Sequence, residues 1–167
     1  AELHALPVAE AVAAGAAPVA GAGSPDAASA IEALPVRLRD RANTALAEYR
    51  ALGPDPLGQV YGFFDGHGWN MAFDHARGRL NGIFDFADSG IGSLHQEFVT
   101  PSFISPDLTH RIVAKYEALT GRRLSRARIM LLTLMLRLSE LGQALSDPVR
   151  LPSMLANATD WLDREAG

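Results

Sequence analysis

The chain has 167 residues, 48% of them hydrophobic, with 15 basic against 19 acidic side chains and a formal charge of −4. That is enough for one domain with a core, and too apolar for disorder throughout. With no basic stripe interleaved with aromatics it argues against nucleic acid. With no cysteine it has neither disulfides nor thiolate zinc sites, which suits a reducing cytoplasm. No apolar run reaches the roughly 18 residues of a membrane span.

In chain order, Leu3-His4-Ala5-Leu6-Pro7-Val8 reads as the tail of an element already under way, without the charged start and cleavage pattern of a signal peptide. Residues 9–25 are almost entirely Ala, Gly, Val and Pro, a composition that suits a mobile connection better than a core element. Asp26 can cap a short helix over 27–33, and Pro35 opens a second whose Leu38, Ala42, Leu46 and Tyr49 recur at helical spacing. Gly53-Pro54-Asp55-Pro56 stops it. Short β-like runs follow over 60–64, 71–73 and 80–84, with His75-Ala-Arg-Gly78 as the turn between the last two. After Asp85 the pattern is helical again. Ser105-Pro106-Asp107 starts a helix that ends at Gly121, and Ser125 caps the next, whose Ile129 to Leu138 is apolar on nearly every face and so should be central and buried. Leu151-Pro152 opens a last amphipathic helix through Trp161 and Leu162. The expected fold is α+β and mainly α, with a small β insertion.

The insertion carries the chemistry. Asp65, Asn70 and Asp85 stand at a spacing that phosphoryl transfer can use: one aspartate to take the proton of an attacking hydroxyl, and an asparagine and a second aspartate to hold magnesium on nucleotide phosphates. Magnesium takes hard oxygen ligands, usually only one or two of them from protein. Taken singly, each of the three also suits an ordinary turn.

Asp65-Gly-His67-Gly-Trp-Asn70 resembles the catalytic loop of the aminoglycoside phosphotransferase family, whose usual form is His-Gly-Asp-Leu-His-x-x-Asn. Gly82-Ile-Phe-Asp85-Phe-Ala-Asp88-Ser-Gly-Ile-Gly92 is similar to that family's metal-binding segment. Its members are small-molecule kinases of the protein-kinase-like fold, among them antibiotic, choline and homoserine kinases. The resemblance implies a kinase-like C-terminal lobe over 26–167, with the catalytic loop at 62–74, the metal segment at 82–92 and a helical remainder at 105–166. Residues 1–25 would then be the end of a hinge-proximal helix and a flexible segment. It implies that Asp65 is the catalytic base, assisted by His67, that Asn70 and Asp85 bind Mg²⁺, and that Asp88 joins them at the nucleotide. ATP and Mg²⁺ would be the cofactors, a small hydroxylated compound the substrate, and the cytoplasm the location. Glu97 falls near the family's structural aspartate.

Two departures stand out. Phe63 replaces the family's first loop histidine, so the loop must be braced differently or sit slackly. No Gly-rich loop followed by a lysine is present, and the only lysine is Lys115, so an N-terminal lobe would be a missing partner and the bared face a route to self-association. A non-catalytic kinase-like binding module and a purely helical interaction protein are the other readings. Trp69 and Trp161 would stack on a substrate ring or belong to a wall or core. Asp160, Asp163 and Glu165 would attract a cationic substrate or form a solvated face. A metal site from His67, His75 and His95 has little support in spacing.

Overall fold

The computed structural model describes residues 1–22 and 27–164. They form two compact units, one of Ala1–Ala20 with Pro54–Ile129 and one of Gly21–Gly53 with Met130–Gly167. The fold is α+β, mainly α. Among the described residues no helix is long and apolar enough to cross a membrane.

The first unit opens with a 3-10 turn, Leu3–Ala5, and a short helix α1, Val8–Ala13. Strand β1, Gln59–Gly62, pairs antiparallel with β4, Gly90–Ser93, in the register Val60 with Gly92 and Tyr61 with Ile91. The segment after α1 runs parallel to the other edge of β4: Val19 N–H donates to Ile91 O and Ile91 N–H to Ala17 O. Composition alone suggests a mobile connection over 9–25, but α1 and this bridge give its first part regular structure. The expected cap at Asp26 lies outside the described residues.

Strands β2, Met71–Asp74, and β3, Arg79–Ile83, form a separate antiparallel hairpin. Its turn is closed by Asp74, whose carboxylate accepts the Arg77 N–H, and by Gly78 at φ 59. The three expected runs correspond to β1, β2 and β3 with shifted ends, whereas β4 falls where a return to helix was expected. Helix α4, Pro106–Thr120, begins as anticipated, with Ser105 accepting the Leu108 N–H and Pro106 in the first turn. It ends at Gly121, whose φ of 70 is the left-handed value a helix C-terminus favours. Val60, Leu94, Phe98, Val113, Tyr116, Leu124 and Ile129 form this unit's core.

In the second unit α2, Ala27–Ala33, and α3, Val36–Ala51, pack with α6, Leu151–Arg164, and with α5, Arg126–Ala144, whose first turn belongs to the other unit. Leu134, Met135, Leu138 and Leu141 of α5 are buried among Ile31, Leu38, Leu46, Trp161 and Leu162. A helix apolar on nearly every face is stable when buried in such a core. The Arg37 guanidinium donates to both carboxylate oxygens of Asp163 and holds that carboxyl below its ordinary value. Trp161 is therefore a core residue and Asp163 an ion-pair member. Glu165 lies outside the described residues.

Candidate active site

The loop after β1 is shaped from its backbone. Glu97, on the 3-10 segment Leu94–Phe98, accepts the Phe63 N–H at 3.1 Å and the Phe64 N–H at 2.9 Å, one on each carboxylate oxygen. A Cβ at position 62 would press on Glu97 Oε2 and the Phe64 ring, so a larger residue there would have to displace those side chains. Phe64 takes a left-handed backbone, φ 57, a strain on the order of 1 kcal/mol or more that its surroundings must outweigh. Its ring lies so close to β4 that a Cβ on Gly92 would stand 2.6 Å from Phe64 Cζ. Phe63 is buried, with its ring 4.8 Å from that of Phe86. The brace expected of a histidine at position 63 is thus divided between the Glu97 carboxylate, acting on the backbone, and an aromatic contact.

Asp65 follows this strained turn. Its Oδ2 accepts a short bond, 2.5 Å, from Asn70 Nδ2, and its Oδ1 stands 3.1 Å from His67 Nε2. Asn70 Nδ2 also donates to the Asp65 backbone oxygen at 3.1 Å. Both amide protons of Asn70 are therefore spent on Asp65, which leaves its Oδ1 as the available donor atom. Each carboxylate oxygen of Asp65 still has a lone pair for a hydroxyl proton. Asn70 is 6% exposed, and its N–H is fixed by the His67 carbonyl.

The hairpin brings the second motif alongside. Its last pair is Met71 with Ile83, and one residue further out Phe84 N–H donates to Asn70 O at 3.0 Å. Asp85 comes next, exposed and at φ 61. Asn70 and Asp85 thus stand at the neighbouring open ends of one hairpin, presenting an amide oxygen and a carboxylate, hard donors of the kind magnesium accepts. Among the described residues no three His, Cys, Asp or Glu side chains group to hold a metal alone. A cation here must complete its shell from a bound nucleotide and water.

The other candidates divide. Asp88 is exposed, and no hydrogen bond or ion pair joins it to Asp65, His67 or Asn70. Trp69 is 82% exposed, edge-on to the His67 ring at 5.3 Å. His75 lies edge-on to the Phe73 ring in the hairpin turn. His95 is buried elsewhere: its Nδ1 and backbone N–H both contact the Asp55 carboxylate, and its Nε2 accepts the Ser125 N–H at 2.9 Å. Burial pushes the Asp55 carboxyl up, but the N–H groups of His95 and Leu57 and the His95 ring together hold it below its ordinary value. The three histidines therefore do not assemble.

The phosphotransferase enzyme family model matches residues 1–132, which takes in both motifs. The chain belongs to this family. Two solved structures are similar in fold. One is the GDP complex of a wild-type aminoglycoside 2'-phosphotransferase-IIIa, with a TM-score of 0.76 at 20% identity, over 98% of this chain and 58% of that one. The other is a macrolide 2'-phosphotransferase type I, with a TM-score of 0.62 at 17% identity, over 93% of this chain and 55% of that one. The chain thus spans little more than half the length of either. No curated protein sequence matches it.

Against the family pattern, the chain keeps the second loop histidine as His67 and the asparagine as Asn70, and substitutes Phe63 for the first histidine. The structure adds what the sequence did not show: the left-handed turns at Phe64 and Asp85, and a carboxylate reaching back from position 97 to hold the loop. In the sequence that close packing is marked only by Gly62 and Gly92, where an added Cβ would meet Glu97 and Phe64.

Proposed function

We propose that this chain provides the catalytic half of an ATP-dependent phosphotransferase acting on a hydroxyl of a small substrate. What carries the reading is Asp65 held between His67 and Asn70 while the hairpin sets Asp85 beside Asn70. Asp65 would orient the acceptor hydroxyl and take its proton on the face not used by Asn70. His67 would keep Oδ1 in position. Asn70 Oδ1 and Asp85 would hold Mg²⁺, which when bound neutralises charge on the phosphates. Asp88 would add negative charge at the rim of that site.

Trp69, exposed beside this carboxylate, would form one wall for the acceptor. The sequence has no lysine able to serve the phosphates from a strand, Lys115 lying on α4. A second lobe would supply the nucleotide cover. It would rest on the apolar side chains that the hairpin exposes, Phe73, Leu80, Ile83 and Phe84, and without it that surface would favour self-association. Because one similar structure holds GDP, both ATP and GTP belong in the test.

The experiment is γ-phosphoryl transfer to a panel of small alcohols by a protein carrying both halves of the nucleotide site, beside Asp65→Asn. Transfer that disappears in the variant supports the reading, and undiminished transfer removes Asp65 from the chemistry. Phe63 at the histidine position favours a second reading, a kinase-like module that binds nucleotide or partner without transfer. Binding with no phosphorylated product from any acceptor would favour it.

A further inference from the structure

Behind Glu97 stands a second layer of polar groups that the phosphoryl-transfer reading does not use. His4 lies in an aromatic cage formed by Phe98, 6.4 Å away ring to ring, and Tyr116, 5.3 Å away. The His4 side chain is 7% exposed and that of Glu97 14%. Both imidazole nitrogens face polar partners: Nδ1 is 3.1 Å from the Tyr116 hydroxyl, and Nε2 is 3.4 Å from Glu97 Oε1. A hydroxyl can donate to Nδ1, and the ring proton then sits on Nε2, the atom that faces the carboxylate. The charged imidazole carries an N–H at the same atom, so in either form that N–H lies within ion-pair range of Glu97 Oε1.

We infer that Tyr116 and His4 form a positioning relay that fixes the Glu97 carboxylate, and through it the backbone on which Asp65 is mounted. The inference rests on the role of Asp65 given above.

The physical case starts from what Glu97 must do. It has to turn one oxygen to each of two successive N–H groups, at 3.1 Å and 2.9 Å, while Phe64 is held at φ 57. A glutamate has three side-chain torsions, and a polar group against one of its oxygens narrows the orientations in which it can reach both N–H groups. His4 is that group in this unit. It comes from the 3-10 turn at the start of the chain, whereas Tyr116, which reaches the carboxylate only through His4, comes from α4, so two remote pieces of sequence stand in line behind Glu97. Deleting the relay would let Glu97 rotate and would relax Phe64 toward an ordinary backbone conformation, with Asp65 displaced as the next residue.

The test uses the ¹⁵N-labelled 167-residue chain, because its readout does not need turnover. Amide proton shifts and hydrogen exchange at Phe63, Phe64 and Asp65 are compared in the wild type, His4→Phe, His4→Gln and Tyr116→Phe. His4→Phe keeps the aromatic packing and removes the donor. It should move the Phe63 and Phe64 amide protons upfield and speed their exchange by about tenfold, the scale of one weakened bond to a charged group. Val113, in the same core, should not change. His4→Gln, which restores an N–H, should recover part of the effect, and Tyr116→Phe should give a smaller shift in the same direction. Unchanged amides at Phe63 and Phe64 in His4→Phe overturn the relay, as do equal shifts in His4→Phe and His4→Gln. Mg²⁺ and ADP are then added to the same samples. His4-dependent shifts with no nucleotide response would uphold the relay and count against phosphoryl transfer, so the two ideas fail separately.

Discussion

Asp65 has both carboxylate oxygens directed before any ligand arrives, one by Asn70 and one by His67. Such preorganisation lowers the cost of reaching the reactive geometry. Asp65→Asn keeps the shape and loses the base, so phosphoryl transfer should fall by roughly 10²–10⁴-fold with little change in melting temperature. A steady-state assay beside a thermal melt checks this. Asp55 contributes stability in a pH-dependent way. Its folded-state value lies below its ordinary 3.8, so its contribution is fully present above that value and lost as pH falls through the lower folded value. Asp55→Ala strands the His95 ring N–H and two backbone donors and should cost about 3 kcal/mol at neutral pH in chemical denaturation. It should also flatten the acid side of the stability profile. Asp65, Asn70 and Asp85 were legible because their chemistry lies in local spacing. His4 and Glu97 meet across more than ninety positions, and nothing local in the sequence marks that contact.

Among the elements, the helices are the most legible in the sequence, since caps and periodicity are local physics. Ser105 and Gly121 bound α4 as the sequence indicates. Ser105→Ala should cost about 1 kcal/mol, measurable by denaturant titration. Strand β4 escaped because Gly90-Ile-Gly-Ser93 has neither alternation nor bulk. Its glycines answer to close packing: a Cβ at Gly90 would strike the Ala17 carbonyl, and one at Gly92 would strike Val19 and Phe64. Gly92→Val should therefore disturb the loop at Phe64 as well as the strand, reducing magnesium–nucleotide binding along with stability. Loss of stability alone, with binding intact, would separate β4 from the site. The Ala-rich stretch after Pro7 carries structure that its composition does not signal, for a related reason. Small residues give little hydrophobic signal, and their pairing with Ile91 is a tertiary matter.

At the scale of the whole molecule, the family assignment and the fold agree with the α+β reading, and residues 1–132 carry the family pattern. The β2–β3 hairpin shows water a cluster of large apolar side chains that charge and turn chemistry do not explain. A surface of that kind usually belongs to an interface. The account therefore rests on Asn70 and Asp85 as the magnesium half of a nucleotide site. The most direct test is a thermal-shift titration of this chain with Mg²⁺ and ADP, with and without chelator, beside Asp85→Ala. The account predicts a stabilisation that needs both magnesium and nucleotide and vanishes in the variant. A stabilisation that is equal in Asp85→Ala, or that persists with chelator, would contradict it.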